Sequence, residues 1–384
     1  MGANLTNWVP VRPGRDLRLD VIRGWLQVSI FVSHIANSFV GEWFIHRAYG
    51  LSDSSEQFLF LSGFMLGSVY TLKSFRDGWR VALPDIWRRA GRLYRIHLQQ
   101  NILFFAILAM ISATILPGEL VRLGWGWLLE SPLLAVPAVI GLIYQPDWMD
   151  ILPMFVWGML LLPLFMMAEA RWGWKALIPP ALLYGATQIG WVRAPSLTAE
   201  IGMGFDPFAW QFIYLLAAYL GKRALRDGVA LPYRAAWAPL VTAGAILVLL
   251  VSAYIALCWR LELSWPAPAP FAAWVYDKQE FAWPRLLHAL SLAWLVASFV
   301  PRNPGWMQGR FGTAMALLGR HSLEVFCLGL FLSYLASTAL HQFPAWFWLL
   351  DPAMTVAGVL VLLGLAWWLD RKKVVRVMAV AGAS

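Results

Sequence analysis

Apolar runs long enough to cross a bilayer recur through this chain from residue 21 to residue 369. No other feature restricts its fold so tightly. About 20 apolar residues carry a helix across the hydrocarbon. In lipid, every backbone N–H and C=O must find a partner within the protein, which admits only helices or a closed barrel. Ten-residue alternating segments, the mark of a barrel, are absent. The 384 residues are 60% hydrophobic and 13% charged, where a soluble domain carries about a quarter charged residues. The expected fold class is an all-α polytopic membrane protein.

Ten transmembrane helices are expected, at about 21–42, 56–72, 93–116, 149–168, 174–192, 206–221, 236–258, 284–301, 313–340 and 345–369. With the N-terminus inside, 24 of the 30 Lys and Arg fall on the inner face. The positive-inside rule then puts both termini in the cytoplasm. Residues 1–20 form a cytoplasmic arm, 21–369 the membrane domain, and 370–384 a cytoplasmic tail. The first apolar run starts late and lacks a small-residue cleavage site, so it is expected to be a span rather than a cleaved signal. The charge of +9 belongs to this topology, and no nucleic-acid partner is expected. Cys258 and Cys327 both lie in apolar runs and make no metal or disulfide pattern.

Residues 117–148 are apolar but interrupted by Glu130 and two prolines. A full crossing there would invert every later loop, so they are expected as an outer-face interfacial or re-entrant segment. A second outer segment, 259–283, carries Pro266, Pro268, Pro270 and several tryptophans. No internal repeat is visible, which disfavours a transporter built from inverted repeats.

The polar residues inside this apolar frame are the candidates for chemistry. Arg23 and His34 are eleven residues apart, about 20° around a helix and about 16 Å along it. Ionisable groups within a span are costly and usually face a cavity or pathway. His34 is therefore expected near mid-membrane on the face that carries Arg23, with a buried structural histidine as the bland alternative. Arg23 could also be a topological anchor, paired with Asp20. In "LSDSSEQFLFLSGFMLG", Asp53 and Glu56 stand at the outer mouth of the second span. They read either as a helix cap or as active-site carboxylates. Gly63 and Gly67 make a small-xxx-small packing face.

Further groups are expected at the same outer level: Asp147 and Asp150, Asp206 with Gln211, and Arg285 with His288. Such a ring suits a polar substrate. Trp148, Trp210, Trp265, Trp274 and Trp283 could stack on sugar rings, although an aromatic belt explains most of them. On the inner side, Arg76, Arg80, Arg88, Arg89, Arg92 and Arg95 crowd one loop, and "LGRHSLEVF" adds Arg320, His321, Ser322 and Glu324. Arginine forks suit phosphate oxygens; topology and anionic lipid account for the same cluster. A phosphate-friendly inner face and a sugar-friendly outer face suit transfer of a group from a cytosolic phosphorylated donor to an outside acceptor.

"LDVIRGWLQVSIFVSH", "FLFLSGFMLG" and "LGRHSLEVF" resemble three signatures of the type-three membrane acyltransferases. "RDLRLDVIRG", "GLSDSSEQFLFLSG", "DILPMF", "DPFAWQF" and "RLLHAL", in that order, resemble the OpgC family, succinyltransferases of osmoregulated periplasmic glucans. The resemblance runs over roughly residues 15 to 330. It implies a ten-helix bundle in the bacterial inner membrane, with an acyl-CoA donor, succinyl-CoA on the OpgC match, and a periplasmic glucan acceptor. No bound cofactor or metal is implied.

The resemblance carries the catalytic histidine onto His34, its paired arginine onto Arg23, and the acidic pattern onto Asp53 and Glu56. On this reading, Arg23, Arg88, Arg92, Arg320, His321 and Ser322 meet acyl-CoA. Asp150, Asp206, Trp210, Gln211, Arg285 and His288 meet the acceptor. A neutral imidazole can deprotonate a sugar hydroxyl as it attacks the thioester, with Ser62 or Gln211 as a donor to the oxyanion. Two other functions fit the same residues: a proton-coupled glycan or lipid exporter, and an O-acetyltransferase of a surface polysaccharide.

Overall fold

A computed structural model describes residues 14, 16–197, 203–263 and 274–381. The described residues are helical, with no strand among them. Trp265 and the prolines at 266, 268 and 270, like the arm up to residue 13, lie outside them. Among the described residues, six stretches are long and apolar enough to cross a membrane: Ser54–Asp77, Trp79–Thr114, Ile151–Gln188, Ala238–Arg260, Ser322–Gln342 and Pro344–Lys373.

The helices are α1 (Leu17–Ser33), α2 (Phe39–Trp43), α3 (Ser54–Asp77), α4 (Trp79–Thr114), α5 (Glu119–Arg122), α6 (Trp127–Glu130), α7 (Pro132–Ile140), α8 (Ile151–Trp172), α9 (Ile178–Gln188), α10 (Pro207–Asp227), α11 (Ala238–Arg260), α12 (Trp283–Phe299), α13 (Arg310–Arg320), α14 (Ser322–Gln342) and α15 (Phe347–Ala381). They fall into two compact units. The first holds Leu59–Pro232 and Ala267–Leu286; the second holds Pro13–Phe58, Tyr233–Pro266 and Leu287–Ser384.

In the first unit, α3 and α10 approach to backbone contact. A Cβ at Gly63 would overlap Tyr214, one at Gly67 would overlap Ala218, and one at Gly221 would overlap the Phe64 carbonyl. The expected small-residue face therefore does pack, and Gly221 answers it from the partner helix. Residues 117–148 double back beside α4. Trp125 stacks on Phe104 at 5.8 Å, Ala138, Val139 and Tyr144 pack with Leu98, and the Tyr94 hydroxyl donates to the Ile140 carbonyl at 2.7 Å. The chain returns to the level of Phe104 at Trp148. From Thr114 to Tyr94 is about 30 Å along α4, and the segment packs back along that length.

In the second unit, α1 starts at Asp16, whose carboxylate accepts from Arg18 N at 3.2 Å. It packs on α13 through Gly24 and Gly319, each set against the other helix's backbone. It meets α14 where the Ser333 hydroxyl donates to the Phe31 carbonyl at 2.7 Å.

Two expected spans are broken. The run 21–42 stops at Ser33, and His34 is the C-cap of α1 rather than a mid-helix residue. Asn37 turns the chain in the left-handed region (φ 60°), and Ser38 caps α2. Asp351 holds that turn, accepting from the Ser38 hydroxyl at 2.6 Å and from Val40 N at 3.0 Å. The run 313–340 is two helices, α13 and α14, separated at His321.

Candidate functional site

In the second unit, the face of α1 that carries Arg23 and His34 forms as the spacing requires. The Arg23 guanidinium donates to the Ser322 hydroxyl at the start of α14 and lies 5.8 Å from the Phe58 ring. The close α1–α13 packing puts these groups together, because α13 leads directly into Ser322. At the other end of α1, His34 Nδ1 lies 2.7 Å from the Ile30 carbonyl. A carbonyl only accepts, so Nδ1 carries the proton. The neutral ring then has its lone pair on Nε2, the form a general base needs. The ring is half-buried, and Ser337 holds the turn behind it, bonding Ala36 N at 2.8 Å.

Asp53 and Glu56 form the helix cap that was one reading of their sequence. Asp53 N donates to the Glu56 carboxylate at 2.8 Å, and Asp53 Oδ1 accepts from Ser55 N at 2.7 Å. This is the reciprocal pattern of a capping box. Glu56 is 0% exposed, so the cap accounts for a carboxylate that would otherwise be costly to bury.

His288 touches the loop just before that cap. Ser52 N and the Ser52 hydroxyl both approach His288 Nδ1, at 3.3 and 2.6 Å. A backbone N–H can only donate, so Nδ1 here holds the lone pair, the opposite tautomer to His34. Gln57 donates to the same hydroxyl at 2.9 Å. His288, expected to meet the acceptor, is thus engaged in positioning the Ser52–Asp53 loop. Ser52 was readable as an alternative to Asp53 for the start of the helix, but Gln57 and the nearby His46 were passed over; their signal was a further histidine and an amide crowded beside an acidic cap.

The basic end of the second unit is also paired. Arg320 and His321, expected to hold donor phosphates, face Asp370 of α15 at 3.7 and 3.3 Å. Arg320 also borders a groove of about 440 Å³ with Leu17, Asn303, Gln308 and Thr313.

In the first unit, Arg88 and Arg92 lie exposed on α4, with Arg88 3.5 Å from Asp85. The remaining acceptor candidates there are occupied by the fold. Asp206 caps α10, accepting from Phe208 N at 2.8 Å and from Ala194 N at 3.0 Å. Trp210 is 0% exposed, stacks on Phe281 at 4.5 Å and donates to the Lys278 carbonyl at 2.9 Å. It is a core residue and offers no face to a sugar. The Gln211 amide is spent on the Pro180 and Phe208 carbonyls at 2.9 and 3.1 Å, so it is not placed as an oxyanion donor.

Arg285 is buried, with the Tyr276 carbonyl 3.4 Å from Nη1. Asp150 stands at the start of α8 against Gly204. Burial pushes the nearby Asp147 carboxyl above the ordinary range, with Arg122 opposing. Glu280, also raised by burial, pairs with Arg193. Among the described residues, no group of three or more His, Cys, Asp and Glu is placed to hold a metal ion.

A family model described as OpgC protein matches residues 15–374, nearly the whole chain. No curated protein and no solved structure gives a significant match.

Proposed function

The chain belongs to the OpgC protein family, and from that membership we propose a membrane acyltransferase acting on glucans. Its donor is succinyl-CoA, its acceptor a sugar hydroxyl of a periplasmic glucan, and its base His34. It sits in the bacterial inner membrane with ten crossings and both termini in the cytoplasm. The hydrogen bond from His34 Nδ1 to the Ile30 carbonyl carries this reading, because it leaves the basic lone pair on Nε2. A sugar hydroxyl is a poor nucleophile at neutral pH, and an imidazole titrates near the working pH.

In the proposed step, the sugar oxygen attacks the thioester carbonyl carbon while Nε2 takes its proton. The carbon–sulfur bond breaks, the thiolate leaves with that proton, and an ester is formed. Arg23, paired with Ser322 at the opposite end of α1, meets the phosphate end of the donor.

Purified protein incubated with succinyl-CoA and glucan tests this directly. Release of free thiol together with a succinyl increment in the glucan mass spectrum is the expected result. Thiol release with an acetyl increment from acetyl-CoA, and none from succinyl-CoA, would replace the donor. No thiol release from any acyl-CoA would sink the acyltransferase reading.

A further inference from the structure

Gln27 lies on α1 between Arg23 and His34. It is 2% exposed, and neither of its amide atoms has a hydrogen-bond partner among the described residues. At 100° and 1.5 Å per residue, Gln27 is about 40° around the axis from Arg23 and about 20° from His34. It stands roughly 6 Å beyond Arg23 and roughly 10.5 Å short of His34. One face of α1 therefore carries a guanidinium, a carboxamide and an imidazole in that order. The contact with α13 runs through Gly24, which is turned about 60° from Gln27.

A buried amide in apolar surroundings is costly unless both its donor and its acceptor are used. Gln188 and Gln211 find partners within the fold, whereas Gln100 of α4 is buried with both amide atoms unpartnered among the described residues. Gln211 bonds Pro180 O at 2.9 Å, and Gln188 bonds Glu280 O at 2.7 Å. Gln27 shares the unspent hydrogen-bonding capacity of Gln100, and of the two it is Gln27 that lies on the Arg23–His34 line.

We infer that the Gln27 carboxamide binds the acyl donor, hydrogen-bonding an amide of the thioester's pantetheine arm; this rests on the acyl-CoA reading above. A carboxamide offers one acceptor and two donors, the complement of a secondary amide, which has one of each. The spacing agrees as well. An extended chain advances about 3.3–3.6 Å per three bonds. From the sulfur to the second amide of the arm is seven or eight bonds, roughly 8–10 Å on that scale. From that amide to the first phosphorus is about five bonds, roughly 6 Å. With the thioester at His34, the second amide falls at Gln27 and the phosphate at Arg23.

The test uses the purified full-length protein and two donors. One is succinyl-CoA. The other is succinyl-N-acetylcysteamine, a thioester that ends before the second amide. Gln27→Met keeps the length and apolar volume of the side chain and removes its hydrogen bonding. The variant is expected to keep the wild-type melting temperature or exceed it. Its KM for succinyl-CoA should rise about fivefold, the loss of one neutral hydrogen bond, with kcat and the glucan KM unchanged. With the truncated donor, wild type and variant should not differ. Ser29, also buried and unpartnered but turned about 160° from Gln27, serves as the control, and Ser29→Ala should leave the donor KM alone.

An unchanged KM for succinyl-CoA in Gln27→Met overturns the inference, as does an equal penalty with both donors, which marks a structural effect. Those outcomes leave the acyltransferase reading standing. A wild-type protein that turns over neither thioester overturns that reading and the inference with it.

Discussion

Gly24 of α1 and Gly319 of α13 are reciprocal gaps. A Cβ on Gly24 would overlap the backbone of Met315, and one on Gly319 would overlap the carbonyl of Asp20. Neither obstacle is a flexible side chain that could swing away. The two glycines let the helices close to backbone contact, and that contact brings Ser322 to Arg23. Gly24→Ala and Gly319→Ala are each expected to destabilise the protein by about 1–3 kcal/mol, the range for overpacking. Gly185 of α9 has open space around it, so Gly185→Ala should be neutral or stabilising by up to about 1 kcal/mol. Melting temperatures in detergent check all three. Equal behaviour of the three variants would mean that the α1–α13 contact is not the tight one.

His34 has a structural bond through Nδ1 and a chemical role proposed for Nε2, and the two can be separated. His34→Ala removes both; His34→Asn keeps a donor that can reach the Ile30 carbonyl but has no basic nitrogen. Both should insert and fold, and both should lose about 10²–10⁴ in kcat, the usual contribution of general-base catalysis. Rates of thiol release with succinyl-CoA and glucan decide the matter. If His34→Asn retains near-full turnover, the ring serves the turn alone.

The loop ahead of α3 gives a pH dependence. Burial holds the His46 imidazole below its ordinary 6.5, with the Asp53 carboxylate opposing the shift. A histidine whose folded pKa is depressed favours unfolding when it must take up a proton. Its contribution to stability is therefore fully present above about 6.5 and is lost as pH falls from there through the folded value. Melting temperature should decline over that window in the wild type, and His46→Gln should flatten that part of the curve. An unaltered slope in the variant would assign the effect to other groups.

The helical frame was legible in the sequence because lipid leaves the backbone so few alternatives. The glycine face at Gly63 and Gly67 was legible because its spacing sets both residues on one side of α3. The break after Ser33 was not. "FVSHIANSFVGEW" stays apolar throughout, and the turn is fixed by Asp351, more than 300 residues away in sequence. Trp210 was misread for a related reason. A tryptophan near an outer helix end can lie in a belt, stack on a sugar or enter the core. Here the Lys278 carbonyl and the Phe281 ring draw it inward, and both come from a segment about 70 residues later. Asp53 and Glu56 were readable as a cap from three-residue spacing alone. Local patterns survived the reading, while residues committed by distant partners did not.

Arg23 supplies the last test, because its bond to Ser322 and its proposed hold on the donor use the same guanidinium. Arg23→Lys keeps the charge but replaces a planar fork with a single point donor. The lysine can still attract a phosphate, yet it cannot bond Ser322 and a phosphate oxygen in the same fixed plane. Losing a charge-assisted hydrogen bond costs about 1.5–3 kcal/mol, so the donor KM should rise by roughly ten- to a hundredfold. Ser322→Ala leaves the fork intact and removes only the group that orients it. A smaller rise in donor KM is expected there, within about fivefold. If Ser322 acts through Arg23, adding Ser322→Ala to Arg23→Lys should do nothing further, and the cycle should show a coupling close to the whole Ser322 effect. The glucan KM reports general damage and should stay constant across the series. Additive losses, or a glucan KM that rises in step with the donor KM, would show Arg23 and Ser322 to be a structural pair with no part in donor binding.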